Sequence, residues 1–245
     1  MTLVTQLTTK KSDHHAQKGN QLMARNRVSS SVISTMNQSM GWMCIGLAVT
    51  AFSAFFVSSS PTLVNDLDAN GLIFFGLIAL ELILVSILSL KIVTMPFEEA
   101  VAAFLLYSFL NGLTLSSIFL IYTNTSIVAT FFITAALFGV MTLYGYTTGR
   151  DLTAVGNLAF MALIGLIIAS VVNIFLKSDT FSYALSYLSI VIFVGLTAYD
   201  TQKIKRLGYN SDSQNLGILG ALTLYLDFIN IFLDILRLFG KTRND

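Results

Sequence analysis

One cysteine, two prolines, two histidines and very little charge mark this 245-residue chain. The lone Cys44 excludes an internal disulfide and a thiolate metal cluster. His14 and His15 are adjacent, with no carboxylate cluster beside them, and read as solvated residues rather than ligands. Pro61 and Pro96 fall between apolar runs, where proline ends helices without breaking a span. Charged residues make up 11% of the chain, against about 25% in soluble domains. Residues 100–149 hold no Asp, Glu, Lys or Arg at all. A soluble globular domain is excluded. No phosphate-binding glycine loop, dinucleotide fingerprint or zinc-spaced histidine set is present, so neither an enzyme nor a cofactor is expected. Nothing in the charge pattern calls for a nucleic-acid partner.

What is present is apolar: 55% of residues are hydrophobic and the mean hydropathy is +0.75. Fifty uncharged residues make room for two spans of about 20 residues each. Seven spans are expected, over 41–58, 71–90, 100–122, 127–145, 154–176, 181–200 and 216–240. The connections at 123–126 and 177–180 are short enough to make antiparallel hairpins. The expected organisation is all-α: a basic flexible tail (1–38), a seven-helix transmembrane bundle (39–240) and a short C-terminal tail (241–245). The tail has no early apolar core, so no cleaved leader is expected.

Lys and Arg set the orientation. Lys10, Lys11, Lys18, Arg25 and Arg27 in the tail, then Lys91, Arg150, Lys203, Lys205 and Arg206, make ten on one side. The other side has Lys177 alone before the last helix. The amino terminus is therefore expected in the cytoplasm. Seven full crossings strand Lys241 and Arg243 on the poorly basic side, whereas a re-entrant last helix returns them. The sequence allows both.

The last span is the unusual one. It carries Asp227, Asn230, Asp234 and Arg237, which steps of three, four and three place within about one quadrant of a helix. A charge at the bilayer centre costs roughly 2.5–3.5 kcal/mol on insertion scales, so this stripe must face protein or water. The helix is expected at the centre of the bundle. The sixth span ends at Asp200, with Phe193, Ser189, Ser186 and Ser182 stepping back along the same face. Those serines are either a hydrated strip or a close-packing surface. Asp200 and Asp227 lie on consecutive helices, and the loop length permits them to meet. In a dry interior they cannot both ionise cheaply, so one proton is shared. Such a pair is a pH switch with affinity for a hard divalent cation such as calcium. Glu81 sits midway through the second span; Arg237 is its expected partner, clamping that helix to the last one. Lys91 snorkels or reaches the aspartates. Asp234 has Arg237 three residues on, and GYTTG (145–149) is a small-xxx-small match.

Four segments, YSFLNGLTLSSIFLIY (107–122), LYGYTTGRDL (143–152), GLTAYDTQKIK (195–205) and LYLDFINIFLDILRLFG (224–240), resemble the signatures of the Bax inhibitor-1 family, also called the transmembrane Bax-inhibitor-motif family. They come in the family's order, and the likeness is to its bacterial members. The resemblance implies seven helices with the last one central, and in some members a pH-sensitive calcium leak. It also implies that Asp200 and Asp227 match the family's paired aspartates, and Glu81 and Arg237 its inter-helix ion pair. A calcium-leaking bacterial member carries a latch arginine at the end of its second helix. That position falls here at Ile92, with Lys91 beside it as a substitute latch.

The leading expectation is thus a calcium leak channel in a bacterial inner membrane, with calcium as permeant ion at Asp200 and Asp227. An alternative is a regulatory protein that binds or inhibits a membrane protease or a stress or cell-death partner, using the basic tail on a protein or anionic lipid. A remote one is an intramembrane aspartyl protease, since Tyr199–Asp200 and a second aspartate resemble presenilin-like enzymes. Asp227 sits in LYLD rather than GxGD, and no proline follows Pro96, so that reading lacks its supporting residues.

Overall fold

The structure, a computed structural model, describes residues 2–60, 71–210 and 213–243, with side chains for 30–60, 71, 75–209 and 213–243. Among these there are eight helices and no strand: α1 (Thr2–Ser58), α2 (Gly71–Lys91), α3 (Phe97–Leu115), the single turn α4 (Ile118–Ile121), α5 (Asn124–Thr147), α6 (Thr153–Leu176), α7 (Asp179–Asn210) and α8 (Asn215–Phe239). Six of the described helical stretches are long and apolar enough to cross a membrane. With the 21-residue α2 they form an all-α polytopic bundle.

The helix ends follow from local chemistry. Pro96 precedes α3 and Thr123 caps α5, its hydroxyl accepting from the Ser126 amide at 3.3 Å. Lys177 closes α6 in the left-handed region (φ 50°), and its amide donates to the Asn173 carbonyl at 2.8 Å. The third expected span is interrupted after Leu115, where Ser116 and Ser117 turn their hydroxyls onto the carbonyls of Leu113 and Thr114. Such back-bonding competes with the helical ladder. The helix of the sixth expected span, α7, runs ten residues beyond Asp200, to Asn210.

The last helix is central. Of its most apolar window 72% is buried, against 11–39% in the other five. It packs on α1, α3, α5 and α7, while α2 lies mainly on α3 and α6 on α7. One side of α8 gives Leu224, Tyr225 and Phe228 to a core shared with Phe104 and Phe138. Its other side gives Ile231 and Ile235 to a core with Phe193 and Leu196. Lipid cannot drive helices together by the hydrophobic effect, so close backbone approach matters more. A Cβ on Gly145 would overlap the Ala198 carbonyl, and one on Gly220 the Ser39 hydroxyl. Facing outward, Leu158, Met161 and Phe175 on α6 are about two-thirds or more exposed, as a lipid surface requires.

The packed domain starts earlier than residue 39. Val32, Thr35 and Met36 are already buried, because the first turns of the span lean on α7, where the Val32 backbone lies beside Gly208. The tail backbone is helical from Thr2; the side chains of His14, His15 and the basic set Lys10–Arg27 lie outside the described residues.

The last helix runs from one end of the bundle to the other. At its start Asn215 binds the connection after α2. At its end Tyr122 pairs with Thr242 in an antiparallel bridge, with Thr123 N donating to Lys241 O (3.0 Å) and Arg243 N to Ile121 O (2.9 Å). Lys241 and Arg243 therefore sit at the end opposite Lys91, and the re-entrant alternative is excluded.

Candidate functional site

Asp200 and Asp227 come together between α7 and α8. They are 8% and 4% exposed, and the charge of Asp200 acts directly on the Asp227 carboxyl. Asp227 Oδ2 is buried without a hydrogen-bond partner. A buried carboxylate oxygen with no donor is costly, and two facing acids add repulsion when both are ionised. The same α7 segment supplies Lys203, three residues beyond Asp200, whose ammonium stands 6.0 Å from the Tyr199 ring centre. Around the pair α7 is drawn against its neighbours by small contacts: Gly145 of α5 meets Ala198, and Gly156 of α6 meets the Tyr199 ring.

The supporting polar residues fall into separate places. Asn230 turns its amide onto its own helix, donating to Leu226 O at 2.7 Å. Asp234 lies against Ser189 and Ser186 of α7; the Ser186 hydroxyl nonetheless completes no hydrogen bond. Ser182 accepts from Asn173 Nδ2 at 2.6 Å and lines a pocket of about 460 Å³ with Lys177, Asp179 and Arg237.

The expected pairing of Glu81 with Arg237 is not what the structure shows. Glu81 is buried and its carboxylate accepts from Asn111 Nδ2 (3.1 Å) and from the Thr114 hydroxyl, both on α3. Arg237 is exposed at the far pocket. The reason is topological: α2 packs on α3, so the donors nearest Glu81 belong to that helix. The contact continues inward, since Asn111 Oδ1 accepts from Tyr225 Oη at 3.0 Å, and that hydroxyl lies 2.6 Å from Thr50 Oγ1. Four helices share one chain of hydrogen bonds.

Lys91 does not latch the aspartates. It is exposed at the end of α2, and the one ion pair among the described residues is Arg206–Asp151 at 2.7 Å. Ile92, at the position that matches the family's latch arginine, is fully buried. Its carbonyl accepts from Asn215 instead.

Sequence reasoning missed a polar clamp beside the pair. Gln202 donates to the Arg150 carbonyl (2.8 Å) and accepts from the Leu152 amide (2.9 Å). Lys205 Nζ donates to Tyr146 O at 2.7 Å and stands 4.8 Å from the Tyr146 ring centre. The Thr153 hydrogen bonds, then Arg206, pull the Asp151 carboxyl down to about 2. The charged run QKIKR after Asp200 was the available signal: a helix leaving the bilayer must spend such residues on something.

A bundle wrapped around its last helix, with two buried acids where that helix meets its predecessor, defines a polytopic membrane protein with an intramembrane carboxyl site. The family described as Inhibitor of apoptosis-promoting Bax1 matches residues 32–244, so the chain belongs to the Bax inhibitor-1 family. The inner membrane protein YbhL of Escherichia coli is 50% identical over 214 residues, covering 85% of this chain and 92% of that one. A Borreliella burgdorferi protein is 45% identical, covering 84% and 90%. A Streptococcus pyogenes membrane protein is 38% identical, covering 82% and 89%.

Proposed function

We propose that this chain is a pH-sensitive calcium leak channel of the bacterial inner membrane, gated by Asp200 and Asp227, with its amino terminus in the cytoplasm. The observation that carries the reading is the buried, mutually interacting carboxyl pair with Asp227 Oδ2 unpartnered. A shared proton lets α7 and α8 close; its loss sets two negative charges against each other and favours opening or a cation between them. Two carboxyls supply few of the six to eight oxygens calcium takes, and no group of three or more His, Cys, Asp or Glu converges among the described residues. Calcium is therefore held in passing, with water completing its shell. Ten Lys and Arg at one end support the orientation, and the name of the Escherichia coli relative supports the membrane. No catalytic role is assigned to either aspartate.

The test is calcium flux from dye-loaded liposomes between pH 5 and 8. Flux should rise with pH, and Asp227→Asn or Asp200→Asn should flatten that dependence. Unchanged flux and unchanged pH response in both variants defeats the gate.

The family's description as an inhibitor of apoptosis-promoting Bax1 favours a second reading, a regulator that acts by binding a protein partner. Pull-downs with the full chain and with residues 1–38 removed separate the two: a partner lost with the tail supports regulation through it, and equal capture removes the tail from that role.

A further inference from the structure

The α7–α8 interface holds a second polar grouping that the gate does not use. It begins at the far-end pocket, where Asn173 and Ser182 face Lys177, Asp179 and Arg237. One and two turns further along α7 come Ser186 and Ser189, 1% and 6% exposed, with Asp234 of α8 against them. Ser186 Oγ has no hydrogen-bond partner. Buried polar atoms in native proteins are almost always satisfied by protein or water. Water enters where a space is polar and roomy enough to offer it several partners. The pocket's lining ends at Leu185, next to Ser186 in the chain, so the two hydroxyls and the carboxyl continue inward from an open polar space.

Further in, the polarity stops. Phe193, Leu196, Ile231 and Ile235 pack together, all buried. Ser189 and Asp200 are eleven residues apart on one helix, about 16 Å at 1.5 Å per residue, and Phe193 occupies the face between them. On α8, Asp227 and Asp234 are about 10 Å apart by the same measure, with Ile231 between.

We propose that this grouping is a dead-end aqueous vestibule, admitting water and small cations from the far end as far as Asp234, and that the Phe193–Ile231 layer is the barrier between it and the Asp200–Asp227 pair. Lys177 and Arg237 outnumber Asp179 at the mouth, so the mouth does not itself gather cations. Asp234 supplies the negative charge inside. Only the barrier half rests on the leak reading; the vestibule stands without it.

Cysteine accessibility tests the vestibule on the full chain in a Cys44→Ser background. A membrane-impermeant trimethylammonium thiosulfonate is applied to right-side-out and inverted vesicles. Ser182→Cys, Ser186→Cys and Ser189→Cys should label from one side only, whereas Val191→Cys, on the lipid face, should not label. Labelling at 182 with none at 186 and 189 overturns the vestibule, provided a membrane-permeant maleimide shows the two thiols folded and free. Phe193→Ala tests the barrier and should raise calcium leak several-fold; a leak equal to wild type overturns that half. A wild type that does not leak sinks the gate and the barrier half with it but leaves the vestibule standing, because the labelling pattern is read without flux.

Discussion

Asn215, the first residue of the central helix, donates its side-chain amide to two carbonyls of the α2–α3 connection, Ile92 O at 2.8 Å and Met95 O at 2.7 Å. One buried side chain thus fixes where the central helix begins and where the second helix ends. Asn215→Leu leaves both carbonyls without a donor, at a cost of about 1–3 kcal/mol for a buried unsatisfied group. Asn215→Asp is expected to be worse, since it sets an acceptor against two acceptors. Thermal unfolding in detergent, followed through the single Trp42, reads both.

The two glycines of GYTTG should behave differently. A methyl on Gly145 meets the Ala198 carbonyl, whereas Gly149 faces open space. Gly145→Ala is expected to lower stability by about 1–3 kcal/mol through overpacking, and Gly149→Ala to leave the melting temperature within a degree or two. Equal effects at both positions contradict the α5–α7 contact.

Glu81 and Arg237 should prove independent. Asn111→Ala and Tyr225→Phe each break the hydrogen-bonded chain that runs from Glu81 to Thr50, at about 1–3 kcal/mol. Arg237→Gln should not reproduce the loss seen in Glu81→Ala, and a double-mutant cycle between positions 81 and 237 should give a coupling near zero. Strong coupling restores the ion pair.

Asp151 predicts a window of acid sensitivity. Its folded-state value is pulled from 3.8 to about 2 by Thr153 and Arg206. A depressed carboxyl adds stability that is fully present above its ordinary value and is lost as pH falls through the folded one. Wild type should therefore exceed Asp151→Asn in melting temperature at pH 5, with the gap closing between about pH 4 and pH 2. The site is solvent-exposed, so the gap is small and shrinks further in high salt.

The central position of the last helix was legible because four polar residues on one quadrant admit no lipid-facing solution, and Pro96 marked the start of α3, whereas the break after Leu115 and the run of α7 to Asn210 carried no such mark. For Asp200 and Asp227 the loop length permitted a meeting without requiring it. The partner of Glu81 was not legible. Charge alone nominated Arg237, but a carboxylate in a bundle is satisfied by whichever donors its neighbouring helix presents, and Asn111 and Thr114 look like ordinary span residues in one dimension. The clamp of Gln202 and Lys205 on 146–152 was hidden likewise, because it pairs side chains with backbone carbonyls, which carry no sequence signal. Lys91 failed as a latch because nearness in sequence to Ile92 says nothing about which side of a helix end a lysine leaves by.

The helix at the heart of the bundle leaves the ribosome after the helices that surround it. Until residues 215–239 arrive, the earlier spans lack their shared centre, and Phe104 and Tyr107 lack the Tyr225 ring that they meet edge-on. Assembly of this protein is therefore a terminal event, in which one insertion step closes the whole structure, and a nascent chain stalled before that step presents quality-control proteases with an incomplete ring.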